Sequence, residues 1–411
     1  MNRQLVTLAL LAIGAIAVPK AAAEARTTVI VLGVDHAAQL VSSDDSPATL
    51  AAFLARAKPD AICIERSPAA FARNDYYEFT YEVQDIVVPY ARQQGIDLCP
   101  MDWEPSTEDA KLGFGMDLEA VPELRPAQGF QQFLSFPQPA QLQRDLFHAD
   151  NPKNLERITQ WIATPAKQAQ NDLPRRLYLY RTYLQAKRVA AAAKAHAGGT
   201  VLVVVGEFHK QDIESILASD QNIALVQPSS LGKPSDEEIS KQDRTQYRLA
   251  IASFNLLGIQ AQSGNIDLAF VRSALQPLID QHGSPEDALL STRLDLVEGR
   301  ISRSEAIKRY RQVANDAGVQ QFTWTGAKDK TRIDSYFDPF GNLSIRQRAL
   351  LEAARELQRE GDIDAAEKIR IELNDQLTER KQVQLSGYWK RYVAPPVGPP
   401  DKKTTNSGSG L

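Results

Sequence analysis

Two stretches carry the residues best suited to chemistry. Gly33-Val34-Asp35-His36 closes the apolar run VIVLGVDH, and Gly206-Glu207-Phe208-His209 closes VLVVVGEFH. With 22 Gly and 5 His in 411 residues, chance gives about 0.3 Gly-x-x-His matches for such a composition. Two occur, each after a run of branched aliphatics. Glu65 ends a third run, AICIE, and Asp102 follows a fourth, Ile96 to Met101. Two histidines and a glutamate, His36, His209 and Glu65, form a ligand set for a catalytic divalent metal with open positions. Such a metal lowers the pKa of a bound water and polarises a carbonyl. Asp35, Glu207 and Asp102 would then act as general base or orient the ligands. The same residues can work without metal, one histidine serving as base to water with Glu65 orienting it. A shared packing role for the two motifs is the alternative to either chemistry. The chain has no Gly-x-Ser-x-Gly elbow and no His-Glu-x-x-His.

These residues need a scaffold that brings strand ends together. Short Val/Ile/Leu runs without alternation read as strands buried on both faces, and a glycine lets the backbone turn as it leaves the sheet. Strands are expected at Thr27–Gly33, Ala61–Glu65, Ile96–Met101, Val201–Val205 and Ile223–Val226. Between them Ser46-Pro47 opens a helix. Residues 74 to 94 read as a second helix, with Tyr77, Tyr81, Ile86, Val87 and Tyr90 inward, Glu78, Glu82 and Gln84 elsewhere, and a kink at Pro89. Leu173–Ala197 is a long helix carrying Arg181 and stopped by Gly198-Gly199, and Gln211–Leu217 is a shorter one. Strands alternating with helices predict an α/β fold with a mostly parallel sheet flanked by helices. All the polar strand ends then share one edge, where such sheets place ligands. Residues 104 to 173 are an irregular insertion, either a lid or substrate loop or a plain surface excursion. His148 within it, His196 at a helix C-terminus and His282 in a loop read as surface or structural residues.

Two Gly-x-x-His motifs flanking a strand-terminal glutamate (KPDAICIE), with an arginine helix before the second motif (YRTYLQAKRVAAAAK, then VLVVVGEFH), resemble the TraB / Tiki / ChaN / erythromycin-esterase-like superfamily. The resemblance covers residues 28 to 228, about half the chain. It implies that His36, Glu65 and His209 are the central residues and Arg181 the helix arginine that holds substrate or Glu65. Asp35 and Glu207 fall in acid-before-His slots. The chain departs at Thr182, where many members have an acid, and at Gln185, where they often have Met. Tiki-like members are metal-dependent peptidases, erythromycin-esterase-like members hydrolyse an ester without a clear need for metal, and ChaN-like members bind haem iron. The resemblance therefore implies a hydrolase of amide, peptide or ester bonds, metal-assisted by Mn, Zn or Fe at His36, Glu65 and His209. A haem- or other ligand-binding protein without turnover and a scaffold acting through its helices are the alternatives.

The rest of the chain sets the context. Residues 1–25 read as a signal peptide: Arg3, the apolar run Leu5–Val18, Pro19 and a small-residue cleavage site at Ala21-Ala22-Ala23 or Ala23-Glu24-Ala25. Export to the periplasm or extracellular space is expected, without a stable membrane anchor after cleavage. Cys63 and Cys99 are the only cysteines, either a disulfide or two buried thiols; in-register parallel neighbours fit disulfide geometry poorly. A net charge of −4 argues against nucleic-acid partners and leaves small molecules or peptides as substrates. The α/β domain is expected over 26–230. The Ser/Gly/Pro-rich 228–233 is a boundary, followed by an α-helical domain over 231–394, a possible protein-partner surface. Its helical hairpins are heralded by Gly264, Gly299 and Gly361. Residues 395–411 are expected to be a disordered tail.

Overall fold

The computed structural model describes residues 26–114, 123–124, 135–281, 283–326 and 329–395. The expected signal peptide (1–25), His282, the expected tail from 396 and part of the 104–173 insertion lie outside the described residues.

Five strands form one parallel sheet: β1 (Thr27–Val34), β2 (Ala61–Ile64), β3 (Asp97–Pro100), β4 (Thr200–Gly206) and β5 (Ile223–Val226), in the order β3-β2-β4-β1-β5. The two motif strands lie side by side, Val29 opposite Val201 and Val34 opposite Gly206. Their continuous aliphatic runs are explained by helices on both faces. Ile30, Leu32, Ile62, Ile64, Leu202 and Val204 face one layer, built from the Pro47–Ala57 helix and the helical segment around Ile86 and Tyr90. Val29, Val31, Val201, Val203 and Val205 face the other, built from Ala186, Val189 and Ala193 of the Leu173–Ala195 helix and Ile213 and Leu217 of the Glu207–Leu217 helix. The chain steps outward from β1 to β3 with helices on the first face and returns to β4 and β5 with helices on the second, as right-handed crossovers require. Strand β4 therefore lies between β1 and β2, whose exits lead to the opposite face from its own. The crevice at such a switch point is where open α/β sheets hold ligands.

Three sequence expectations change. The 74–94 helix is shorter: a Ser67-capped turn of helix at Pro68–Ala72 precedes it, and Asn74 has φ 56°. The Tyr77 carbonyl accepts from the Thr80 hydroxyl (2.9 Å) and the Thr80 N–H (3.1 Å), which holds the intervening chain in a turn. A π-helical stretch, Glu82–Val87, then runs into the α-helix Val88–Gln94. The widened ladder falls where Pro89 has no N–H to give and its ring would meet a carbonyl four residues back. Second, Glu82, expected away from the core, is completely buried, because it is drawn in by hydrogen bonds described below. Third, the helix expected at Gln211–Leu217 starts at Glu207, so Glu207 and His209 lie in its first turn rather than ahead of it.

Cys63 and Cys99 are in-register neighbours on β2 and β3, and both are free thiols. Beyond β5 the regular elements of the described residues are all helices. Gly264, Gly299 and Gly361 take φ 71°, 70° and 86°, the left-handed turns before the helices Leu268–Gln281, Arg303–Ala317 and Ile363–Asp375. The helix Thr245–Leu256 packs Tyr247, Ala250, Ile251 and Phe254 into the same buried cluster as the first sheet face. No described helix is long and apolar enough to cross a membrane.

Candidate functional site

Glu65 is the centre of the strand-end cluster. It sits one residue beyond β2, is 3% exposed, and accepts from the Gly206 N–H at 2.6 Å and from Arg181 Nη2 at 2.7 Å. A carboxylate so deeply buried is tolerated because both oxygens are bonded and a guanidinium neutralises it. Burial opposes its charge, but Arg181, His36 and His209 prevail and hold it below the usual carboxylate range. Gly206 has to be glycine: a Cβ there would lie 2.9 Å from His36 Nε2 and 3.3 Å from Glu65 Oε2.

The two histidines flank this carboxylate. His36 Nε2 is 3.6 Å from Glu65 Oε2, and His209 Nε2 is 3.9 Å from Oε1. Their other ring nitrogens are pinned. His36 Nδ1 lies 2.7 Å from Glu82 Oε1, and Glu82 Oε2 also accepts from the Ala37 N–H at 3.2 Å. A carboxylate only accepts, so Nδ1 of His36 carries the proton. His209 Nδ1 lies 2.7 Å from the Thr182 hydroxyl, which donates to the Tyr178 carbonyl at 2.8 Å. With its one hydrogen so used, Thr182 accepts from Nδ1–H. Tyr178 stacks on the His209 ring, 4.8 Å between centroids at 9°. In both rings Nε2 is thus the nitrogen left for chemistry.

The two environments pull the imidazoles apart. Burial works against a charge on His36, yet Glu82, Glu65 and Asp35 overcome it and raise the pKa to about 9. For His209 burial dominates, and Arg181 adds to it; the pKa falls to about 4 despite Glu65. At neutral pH His36 is an imidazolium and His209 a neutral base.

Arg181 links Glu65 to Asp102. Its Nε and Nη2 donate to the two Asp102 oxygens at 2.7 and 2.6 Å, and Tyr77 and Gln185 also donate to Asp102, at 2.7 and 2.8 Å. Burial would raise the Asp102 pKa, but Arg181 and these bonds lower it to about 2. The Arg181 side chain is 24% exposed, and its Nη1 makes no hydrogen bond among the described residues. Asp35 and Glu207 form a second cluster. Arg144 bridges them, its Nη1 on Asp35 Oδ2 and 3.3 Å from Glu207 Oε1, and no hydrogen bond joins either acid to Glu65. Burial, with Asp35 beside it, raises Glu207 to about 7.

Sequence reasoning missed Glu82, Arg144 and the supporting roles of Thr182 and Gln185. Gln185 carried a signal: it lies four residues beyond Arg181, on the same face of their helix. Arg144 lies in the insertion and Glu82 in a π turn, where no periodicity marks a facing direction. The other two described histidines stand apart from the cluster: His148 pairs with Asn154, and His196 lies 3.5 Å from Asp97.

The donor set can be weighed against a divalent metal. In its favour, the Nε2 lone pairs of neutral His36 and His209 face one carboxylate, with their Nδ1 atoms anchored as metal-bound imidazoles are. Against it, both Glu65 oxygens are already hydrogen-bonded and the Arg181 guanidinium lies where a cation would be repelled. Among the described residues no group of three or more His, Cys, Asp or Glu is arranged to hold an ion. As they stand, these residues fit proton transfer rather than a resident metal.

Fold and site together define a parallel α/β protein with a buried ionic cluster at its carboxyl edge. No protein-family model matches the chain, and no curated protein or solved structure matches it.

Proposed function

We propose that the strand-end cluster hydrolyses an ester or amide bond by histidine acid–base chemistry. The observation that carries this reading is geometric: two histidines with anchored Nδ1 atoms present Nε2 to opposite oxygens of one buried carboxylate. In the proposed step, His209 Nε2 takes a proton from water as the water oxygen bonds to the carbonyl carbon. Arg181 Nη1 donates to the developing oxyanion. The C–O or C–N bond then breaks, and the leaving group takes the Nε2 proton of His36. The products are a carboxylic acid and an alcohol or amine, and exchange with solvent resets both rings. Opposite pKa displacements in neighbouring groups are the usual mark of an acid–base pair. The superfamily resemblance and the leader-like residues 1–25 support an exported hydrolase of this kind.

The test is p-nitrophenyl acetate hydrolysis by the wild type and by His209→Ala and His36→Ala, with circular dichroism to verify folding. Removing a positioned acid or base costs about 10²–10⁴ in rate, so each variant is expected to fall to near background. Undiminished kcat/KM in both would sink the proposal. Arg181 is a poorer probe: leaving Glu65 and Asp102 buried without it costs about 3–5 kcal/mol of stability, which would confound activity with folding.

A second reading is favoured by the paired Nε2 atoms. In it His36, Glu65 and His209 would hold Mn, Zn or Fe, which would supply a Lewis acid and an activated water; Glu65 could serve only if Arg181 no longer neutralised it. Elemental analysis of protein purified without chelator separates the two: one stoichiometric metal lost in His209→Ala supports the metal reading. A Soret band formed with haem and lost in both histidine variants, without turnover, would instead support ligand binding.

A further inference from the structure

Aromatic side chains adjoin the ionic cluster. Among the described residues the large exposed aromatic side chains are Tyr180, Tyr183 and Phe208, at 52, 49 and 40% exposure. All three belong to the two helices that build the site. Tyr180 precedes Arg181, and Phe208 precedes His209. Trp103, half-buried, follows Asp102 and meets Tyr180 edge-on, 4.9 Å between centroids at 89°. Arg181 and Asp102 are bonded to each other, so the Trp103–Tyr180 pair is tethered at both ends to the same ion pair. Tyr178, stacked on His209, meets Trp161 edge-on at 5.7 Å, and Phe79 meets His36 at 5.2 Å. Tyr183 instead lines a groove with Ile216, Ser219 and Asn222, so the exposed aromatic surface tied to the ionic cluster is the Trp103–Tyr180 pair, and aromatic surface left in water beside charged groups suits a ring-bearing ligand.

We propose that the molecule bound at the strand ends carries a flat apolar ring, seated on the Trp103–Tyr180 pair with its carbonyl or carboxylate oxygen on Arg181 Nη1. The ligand class is an ester or amide of an aryl-substituted carboxylic acid, or the free acid as product. This inference rests on the hydrolase reading for the identity of the scissile bond, but the ring subsite stands on the Trp103–Tyr180 pair itself. Three features select this occupant. The platform is aromatic and solvent-accessible, which suits stacking of a ring. An unused guanidinium N–H pair lies one residue away, which suits a carbonyl or carboxylate. The floor beyond it holds the two free imidazole nitrogens.

The test compares 3-phenylpropanoate with propanoate by isothermal titration calorimetry on the full-length protein. The phenyl acid is expected to bind the wild type at least ten-fold more tightly than propanoate. Trp103→Ala and Tyr180→Ala are expected to lose at least five-fold of that preference, and Trp103→Phe to restore most of it. Equal affinities for the two acids, or a preference untouched in folded Trp103→Ala and Tyr180→Ala, overturn the proposal. If the ring preference holds while phenyl 3-phenylpropanoate is not hydrolysed faster than by His209→Ala, the hydrolase reading fails and the ring subsite survives.

Discussion

Glu82 shows how much one buried side chain can set. It sits opposite the reactive nitrogen of His36, fully buried, and its charge is the main force holding His36 protonated against burial. Glu82→Gln retains an acceptor for Nδ1–H and removes the charge. The His36 pKa should then fall from about 9 toward the ordinary histidine value. Since the proposed acid is the protonated form of His36 and the base the neutral form of His209, wild-type hydrolysis should plateau between limbs near pH 4 and pH 9. In Glu82→Gln the alkaline limb should move down and the acid limb stay. A pH–kcat/KM profile reads both, and an unmoved alkaline limb would detach His36 from the acid role. Stability has the same sign: a raised pKa favours the folded state fully below the unfolded value of 6.5, and that contribution is lost as pH rises through about 9. Glu82→Gln should therefore also weaken the dependence of Tm on pH above neutrality.

The β4-to-helix junction is the element on which convergence depends. Gly206 ends the strand with φ −50°, a conformation open to any residue, so its need for glycine is spatial rather than conformational. Gly206→Ala would press a methyl against His36 Nε2 and Glu65 Oε2, with the Gly206 N–H still bonded to Glu65. At least a ten-fold loss of kcat with little change in Tm is the expected outcome; equal loss of Tm and activity would mean the sheet rather than the site is disturbed. This junction also shows what the chain reveals before it folds. The aliphatic runs predicted strands because only a two-sided burial tolerates them, and strand ends at Glu65, Asp102 and the two motifs followed from where those runs stop. The insertion of β4 between β1 and β2 was not readable, because strand order depends on long-range pairing that leaves no local pattern. Nor was the burial of Glu82: the π turn rotates the helix off the 3.6-residue period from which an outward face was inferred. His209 and Glu207 follow the strand as expected, but the helix expected from Gln211 begins at Glu207, directly after Gly206 ends the strand.

The described molecule places its helical region against the sheet through one continuous interior. Ile30, Leu32, Ile62 and Leu202 of the sheet share a buried cluster with Tyr247, Ala250, Ile251 and Phe254 of the Thr245–Leu256 helix and with Trp324, Tyr336 and Phe337 further on. Tyr336 in turn lies 6.2 Å from Phe79, whose ring edges His36, so the helical region backs the site as well as the sheet. A polar lock crosses the same seam: Asn255, 1% exposed, donates from Nδ2 to the Leu40 carbonyl at 2.6 Å. Leu40 belongs to the turn that follows His36. Replacing Asn255 with Leu fills similar volume but leaves that buried carbonyl without its partner, a loss of about 1–3 kcal/mol. If the two regions form one cooperative unit, calorimetry of the wild type gives a single transition, and Asn255→Leu shifts all of it downward. Two resolved transitions, with only one moved by the substitution, would mean that each region folds on its own core and that the shared cluster is a docking surface between independent units.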